Sequence, residues 1–252
     1  MSQLSVIIIT KNAAKHMLEC LNSVAFADDI IVFDGGSQDN TVNICRQFTD
    51  KIVIDTDWQG FGIQKNQALA QATGEWVLSI DADEHVPPQL MLEIQQAMQQ
   101  QDYVAFEIPR LSRYCGRWIT HSGWQPDYVL RLFRRNSAQF TEDLVHEKVT
   151  IFAGKIGQLK TPLLHHSFDS LEDVLDKVNR YSTAGAMMRH QRGQTSSLKK
   201  AIFHGLWAFF RTYVLKLGFL DGREGFMLAV SNAEGVYYRY LKLMYLSQES
   251  VK

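Results

Sequence analysis

Leu4-Ser5-Val6-Ile7-Ile8-Ile9-Thr10 and Ile30-Ile31-Val32-Phe33 are two short apolar runs rich in β-branched residues, and their reading decides the fold. Neither run alternates polar with apolar residues, so each reads as a strand covered on both faces. The stretch between them, from about Ala14 to Ala25, has helical spacing. Thr41 to Phe48 then predicts a second helix, Ile52-Val53-Ile54 a third strand, Gly62 to Ala72 a third helix, and Trp76-Val77-Leu78-Ser79-Ile80 a fourth strand. This alternation makes the expected class α/β, with a mostly parallel sheet flanked by helices. Ligands collect at the carboxyl ends of strands in such sheets. Three polar clusters sit at those ends: Thr10 to Asn12, Asp34 to Asp39, and Asp81-Ala82-Asp83-Glu84.

Beyond Pro87-Pro88 a helix is expected to about Gln100. A more irregular segment, Tyr103 to His166, follows, with strands near 103–109, 128–134 and 148–151. From Leu171 the pattern is helical to the end, broken at Gly193 to Ser197 and at Gly218 to Gly225, which puts a boundary near residue 168. The 252 residues are 46% apolar and 21% charged, which excludes a disordered or collagen-like chain. Net charge is −1 but uneven: −8 over residues 1–98, +2 over 99–170 and +5 over 171–252. The acidic front half argues against nucleic acid as a partner.

Cys20, Cys45 and Cys115 are odd in number and form no CxxC pair, which argues against a disulfide framework or a zinc site and for a cytoplasmic location. The opening residues lack the basic region of a signal peptide. The nearest approach to a membrane span, 201–220, contains His204, Arg211 and Lys216.

The sharpest local signal is Asp81-Ala82-Asp83, two carboxylates separated by one small residue directly after a buried strand. One carboxylate there could meet a sugar or ribose hydroxyl while the other holds Mg²⁺ or Mn²⁺, hard cations that take oxygen ligands and bind diphosphates. The plainer alternative is an acidic turn capping the next helix. Taken in order, Ser5 to Asn12, Ile31-Val32-Phe33-Asp34-Gly35-Gly36-Ser37, Gln64-Lys65-Asn66-Gln67 running on to Thr73-Gly74-Glu75-Trp76, and Asp81-Ala82-Asp83 resemble the N-terminal motifs of the family 2 inverting glycosyltransferases. That resemblance implies the GT-A fold. It also implies a nucleotide-sugar site in which Thr10, Asn12 and Asp34 hold the nucleoside, Lys65 lies near the nucleotide, Asp81 approaches the ribose, and Asp83 approaches the divalent metal and the diphosphate. The family's second motif commonly has paired aspartates, whereas Gly35 follows Asp34 here; Gly35-Gly36 reads as a tight turn needing positive φ. Asp39 and Thr41 read as a turn and a helix cap.

Tyr128-Val129-Leu130-Arg131-Leu132-Phe133-Arg134-Arg135, Val145-His146-Glu147 and Gly218-Phe219-Leu220-Asp221-Gly222-Arg223-Glu224-Gly225-Phe226 look like the lipopolysaccharide inner-core β-glucosyltransferases. The resemblance implies glucose transfer from UDP-glucose to a core heptose. It divides residues 1–168 into a nucleotide-sugar half (about 1–98) and an acceptor half (about 99–168), with 169–252 as a helical C-terminal extension. Inversion is a single displacement that needs a base for the acceptor hydroxyl and positive charge on the departing diphosphate. Thr141 to Glu147 offers three carboxylates and an imidazole. Glu147 is the expected base, Asp143 the runner-up, and His146 an orienting group; a polar loop is the alternative. The arginines at 110, 113, 117, 131, 134 and 135, interleaved with Tyr114, Trp118, Trp124 and Tyr128, suit an anionic saccharide acceptor, although a solvated basic face explains most of them singly. His165-His166 reads as structural, since neighbours on a strand point apart.

Phe203, Leu206, Trp207, Phe210, Val214 and Leu217 share one helical face with Lys199, Lys200 and Lys216 at its ends. That face fits the anionic surface of the inner membrane, or else packing on the rest of the protein or a second subunit. The expectation is a cytoplasmic, peripheral membrane transferase acting on a lipid-linked acceptor. Another glycan acceptor (capsular or protein-linked) and a non-catalytic nucleotide-sugar or saccharide binding module are the alternatives. A nucleotidyltransferase would need a Gly-rich phosphate loop after the first strand, which Thr10-Lys11-Asn12 does not supply.

Overall fold

The computed structural model describes residues 3–141 and 148–249. Its elements run β1 (Leu4–Thr10), α1 (Ala14–Ser23), β2 (Asp29–Asp34), α2 (Thr41–Cys45), β3 (Ile52–Ile54), α3 (Phe61–Gln71), β4 (Trp76–Asp81), β5 (Glu84–His85), α4 (Pro88–Ala97), β6 (Tyr103–Tyr114), β7 (Arg117–Trp118), β8 (Tyr128–Arg134), β9 (Ala138–Phe140), β10 (Val149–Ile151), β11 (Lys155–Gln158), β12 (Leu163–Phe168), α5 (Leu171–Gln191), α6 (Leu198–Phe210) and α7 (Gly222–Glu249). They form two compact units. One comprises residues 1–111 and 127–166; the other comprises 112–126 and 167–252.

In the first unit the sheet order is β3-β2-β1-β4-β8-β6. β1 pairs parallel with both β2 and β4, and β2 with β3. β8 joins β4 and β6 antiparallel, so the sheet is mixed at that side. All seven residues of β1 are buried because helices cover both faces of the sheet. Leu4, Val6 and Ile8 pack with Met17 and Leu21 of α1 and Leu90 and Ile94 of α4. Ile7 and Ile9 pack with Ala68 of α3 and Phe133 of β8. A buried leucine or isoleucine side chain contributes about 1.5 to 3 kcal/mol, so these two clusters hold the parallel strands in register. Gly74 lets its chain run against β1: a Cβ there would lie 2.7 Å from the Ser5 nitrogen. Pro88 starts α4, where its missing N–H costs nothing. The acidic turn after β4 leads into β5 and does not cap a helix, since α4 begins four residues beyond Glu84.

The second unit is built on α5, α6 and α7, with Tyr114, Ile119, Val174 and Leu228 at its core. A capping box between Ser170 and Asp173 starts α5, and the Ser197 hydroxyl accepts from the Lys200 N–H to start α6. The break between α6 and α7 is set by Leu217 and Gly222, both left-handed, and by a close approach at Gly225, where a Cβ would fall 1.9 Å from the Gly218 carbonyl oxygen. Inside this turn Asp221 is fully buried. It accepts from the backbone N–H groups of Thr120 and His121 at 3.1 Å each and from the Ser122 hydroxyl at 2.7 Å. Burial alone would raise its pKa, but these donors hold it below the ordinary carboxylate value.

A depressed folded-state pKa stabilises above the unfolded value of about 4 and stops doing so as pH falls through the folded value. Asp221→Asn is therefore expected to cost about 2 to 3 kcal/mol in urea denaturation at pH 7. The gap to the parent protein should narrow steadily between pH 5 and pH 3; a gap that does not change with pH would mean the carboxylate charge is not what the turn uses.

Candidate active site

β1, β2 and β4 end side by side because they run parallel and in register, with Thr10 opposite Asp34 and Ile9 opposite Asp81. The loops after β1 and β2 are stitched together. The Gly35 N–H donates to the Thr10 carbonyl (2.8 Å), the Asn12 N–H to Ser37 Oγ (2.7 Å), and the Gln38 N–H to Asn12 Oδ1 (2.8 Å). Asn12 takes a left-handed φ of 51° to do this. Asp34 is wholly buried, and its oxygens accept from the Gly36 and Ser37 N–H groups and the Ser37 hydroxyl. Asp34, expected as a nucleoside contact, shapes the loop through these bonds. Positive φ falls on Gly36 alone, at 81°, and not on Gly35. Asp39 accepts from Thr41 and from the Ala14 N–H, the turn role read from the sequence, while the N-cap of α2 is Asn40, with no side-chain capping bond. Thr10 Oγ1 is buried with no hydrogen-bond partner among the described residues.

Asp81 emerges at the end of β4 between two cations. Lys65 Nζ, on α3 and almost fully buried, lies 3.0 Å from Asp81 Oδ1. Arg131 Nη2, from β8, donates to Asp81 Oδ2 and to Glu84 Oε1, both at 2.6 Å. Glu84 is wholly buried, and its other oxygen accepts from the Asp81 N–H at 2.9 Å. Arg110 approaches Glu84 at 3.6 Å and pairs with Asp127 at 2.8 Å. Against burial, Arg131 and then Lys65 hold the Asp81 carboxyl far below the usual range. Burial and the neighbouring Asp81 charge push Glu84 up, with Arg131 opposing. Asp81 is thus a fixed carboxylate held by Lys65 and Arg131.

Asp83 is different. Its side chain is 40% exposed, and its Oδ2 lies 3.3 Å from Nε2 of His165 on β12. His166 turns to the other side, stacking on His16 of α1 at 4.6 Å and lying 3.7 Å from Glu19. That anchor, together with the bond from the His166 N–H to the Asp83 carbonyl (2.9 Å), fixes the strand that presents His165. An oxygen and an imidazole nitrogen at this spacing are a donor set that suits Mg²⁺ or, better, Mn²⁺. His165, read from the sequence as structural, is therefore a candidate ligand. Glu147, Asp143 and His146 lie outside the described residues.

Arg131 was read from the sequence as one of the acceptor-side arginines and Glu84 only as part of the acidic turn; their pairing was not read, although a signal was present. An arginine inside the apolar run Val129 to Phe133 must find a buried carboxylate. Arg134 also departs from a solvated basic face: it pairs with Glu75 and stacks over Trp76 at 4.7 Å.

Residues 5–156 match the family described as Glycosyl transferase family 2. The chain belongs to that family. It is 30% identical to an uncharacterised glycosyltransferase of Rickettsia typhi, over 99% of this chain and 89% of that protein. It is 27% identical to the lipopolysaccharide core biosynthesis glycosyltransferase LpsC of Rhizobium meliloti, over 94% of this chain and 93% of that protein. In fold it is similar to Staphylococcus aureus TarS (residues 1–349, in complex with UDP-GlcNAc), with a TM-score of 0.50 at 17% identity, covering 98% of this chain and 92% of that one. The fold is GT-A-like, and the protein is a glycosyltransferase.

Removing Arg131 should be costly, because it leaves Asp81 and Glu84 facing each other without their shared cation. Arg131→Met is expected to destabilise the protein by about 3 to 5 kcal/mol in urea denaturation. Glu84→Gln in the same chain should recover part of that loss, giving a clear coupling term in a double-mutant cycle. Strict additivity of the two changes would contradict the bridging role.

Proposed function

We propose that the protein transfers a hexose, glucose from UDP-glucose, with inversion to a heptose of the lipopolysaccharide inner core. The observation that supports the donor half is the Asp83–His165 pair at the carboxyl end of β4, in which the exposed Asp83 stands beside an Asp81 already neutralised by Lys65 and Arg131. Asp83 and His165 would hold the divalent cation, Mg²⁺ or Mn²⁺, which supplies positive charge to offset the departing diphosphate. Asp81, fixed in direction by its two cations, would face the ribose. Thr10, with its unpaired hydroxyl, and Asn12 would line the nucleoside side, with Asp34 holding their loop. Glu147 would take the acceptor hydroxyl's proton as that oxygen bonds to the anomeric carbon and the bond to UDP breaks. Asp143 would be the alternative base, and His146 would orient the base or the acceptor. The acceptor assignment draws on the likeness to LpsC. Residues 1–98 would serve the donor, 99–168 the acceptor, and 169–252 would form the helical extension.

Attachment to a membrane through α6 is part of this reading. No helix among the described residues is long and apolar enough to cross a membrane. Ala201 and Gly205 face inward on α6, whereas Phe203 (66% exposed), Leu206 (68%), Trp207, Phe210, Val214 and Leu217 are exposed in the chain. With Lys199, Lys200 and Lys216 nearby, this face suits the anionic cytoplasmic surface of the inner membrane, where a lipid-linked acceptor lies. Leu206→Glu with Trp207→Glu should abolish flotation with anionic vesicles while leaving soluble donor binding intact; unchanged flotation would remove α6 from the membrane role.

The deciding experiment is UDP release from a panel of UDP-sugars, with Mg²⁺, Mn²⁺ or EDTA, with and without heptose-terminated core lipid. Metal-dependent release from UDP-glucose, raised by that lipid, is expected. Release only with a capsular or protein-linked acceptor would replace the heptose assignment, and donor binding without turnover under any condition would point to a binding module. Glu147→Gln should lower kcat by about a hundredfold or more with donor affinity unchanged; a retained rate would exclude Glu147 as the base.

A further inference from the structure

The second unit contains a cavity of about 450 Å³ with Lys177 and Tyr181 of α5, Arg211 and Lys216 after α6, Arg239 of α7 and Trp124 in its wall. None of the residues lining it is acidic. Asp221, in the break between α6 and α7, is directed at the Thr120 and His121 N–H groups and the Ser122 hydroxyl, while the negative charge of Glu234 acts on Tyr114 in the wall. Lys177, Arg211, Lys216 and Arg239 give the lining of this hollow an excess of positive charge, which favours the entry of an anion.

Arg239 shows the consequence most clearly. Its Nε is buried and has no hydrogen-bond partner among the described residues. Burial, and after it the positive charge of Arg189, hold its pKa below the usual arginine value, the direction expected of a guanidinium lacking a counter-charge. Gly185 on α5 makes space for it, since a Cβ there would lie 2.9 Å from Arg239 Nε. A planar guanidinium with an unmet donor is suited to a bidentate bond with phosphate or carboxylate, worth about twice a neutral hydrogen bond. The aromatic walls add flat faces for a sugar ring, and Lys177 is itself braced over Phe168 at 4.5 Å and Tyr181 at 5.7 Å.

We propose that this cavity binds a phosphate or carboxylate group borne on a saccharide, and that it is where the protein holds an anionic sugar of its acceptor. Anion binding stands on the cavity alone; its assignment to the acceptor rests on the transferase reading above. The cavity thereby selects acceptors by charge, separately from the chemistry at the end of β4.

The test is titration calorimetry on the full, tag-free chain with a hexose 6-phosphate, inorganic phosphate and the uncharged hexose as probes. The hexose 6-phosphate should bind more tightly than phosphate, and the hexose should not bind measurably. Arg239→Gln should weaken hexose 6-phosphate binding by about tenfold or more. Arg211→Ala, at an exposed position, should do the same if the Arg239 variant folds poorly. UDP binding should be unchanged in both variants. In transfer assays with a phosphorylated acceptor, the variants should raise KM with kcat retained.

Absence of hexose 6-phosphate binding by the parent protein, or equal binding by both variants, would overturn the proposal. Loss of anionic-vesicle binding in the variants with sugar-phosphate binding intact would also overturn it, by identifying a lipid headgroup as the anion. An unchanged KM in both variants would overturn the acceptor role. Variant-sensitive sugar-phosphate binding in a protein that transfers to no acceptor would support the cavity and refute the transferase reading.

Discussion

One guanidinium organises the carboxyl end of β4 in this protein. Arg131 reaches the carboxyl end of β4 from the antiparallel β8 and bonds Asp81 and Glu84 at once, at 2.6 Å each. A buried arginine or a buried glutamate alone would cost several kcal/mol; together, with Lys65 closing the other Asp81 oxygen at 3.0 Å, they form a network of near-balanced charge. Its contribution is to direction more than to net stability. Asp81 and Glu84 flank the turn that carries Asp83, so fixing both ends of that turn aims the remaining carboxylate outward.

His165 meets that carboxylate from β12, and the strand is held from behind by the His166–His16 stack. The first and second carboxylates of Asp81-Ala82-Asp83 thus differ sharply despite their near adjacency: one is locked between cations and the other is exposed beside an imidazole. Pre-setting a charged ligand before the substrate arrives removes reorganisation from the reaction itself.

Much of the parallel core was legible because buried strands must be continuously apolar, as β1 and β2 are. The short strands β5, β7, β9 and β11 were not, since two to four residues carry too little periodicity, and β12 hid its strand character behind the polar Leu163-Leu164-His165-His166. The antiparallel joining of β8 to β4 has no local sequence mark, so the meeting of Arg131 with Asp81 and Glu84 could not be read from spacing across about fifty residues. The loop bonds of Asp34 were not legible because a carboxylate at a strand end serves equally well as a ligand or as an acceptor for its own turn. The helical breaks at Gly193 to Ser197 and Gly218 to Gly225 were legible from glycine alone, but the cationic cavity of the second unit draws on residues more than a hundred positions apart.

Asp83 and His165 are the residues proposed to hold the cation beside the diphosphate. The most direct measurement of that role is calorimetric titration of UDP into the parent chain and into Asp83→Ala/His165→Ala, each with Mn²⁺ and with EDTA. UDP affinity that rises at least about tenfold with Mn²⁺ in the parent protein and does not respond to Mn²⁺ in the double variant is the expected result. Equal Mn²⁺ enhancement in both chains would contradict the account and place the diphosphate site elsewhere.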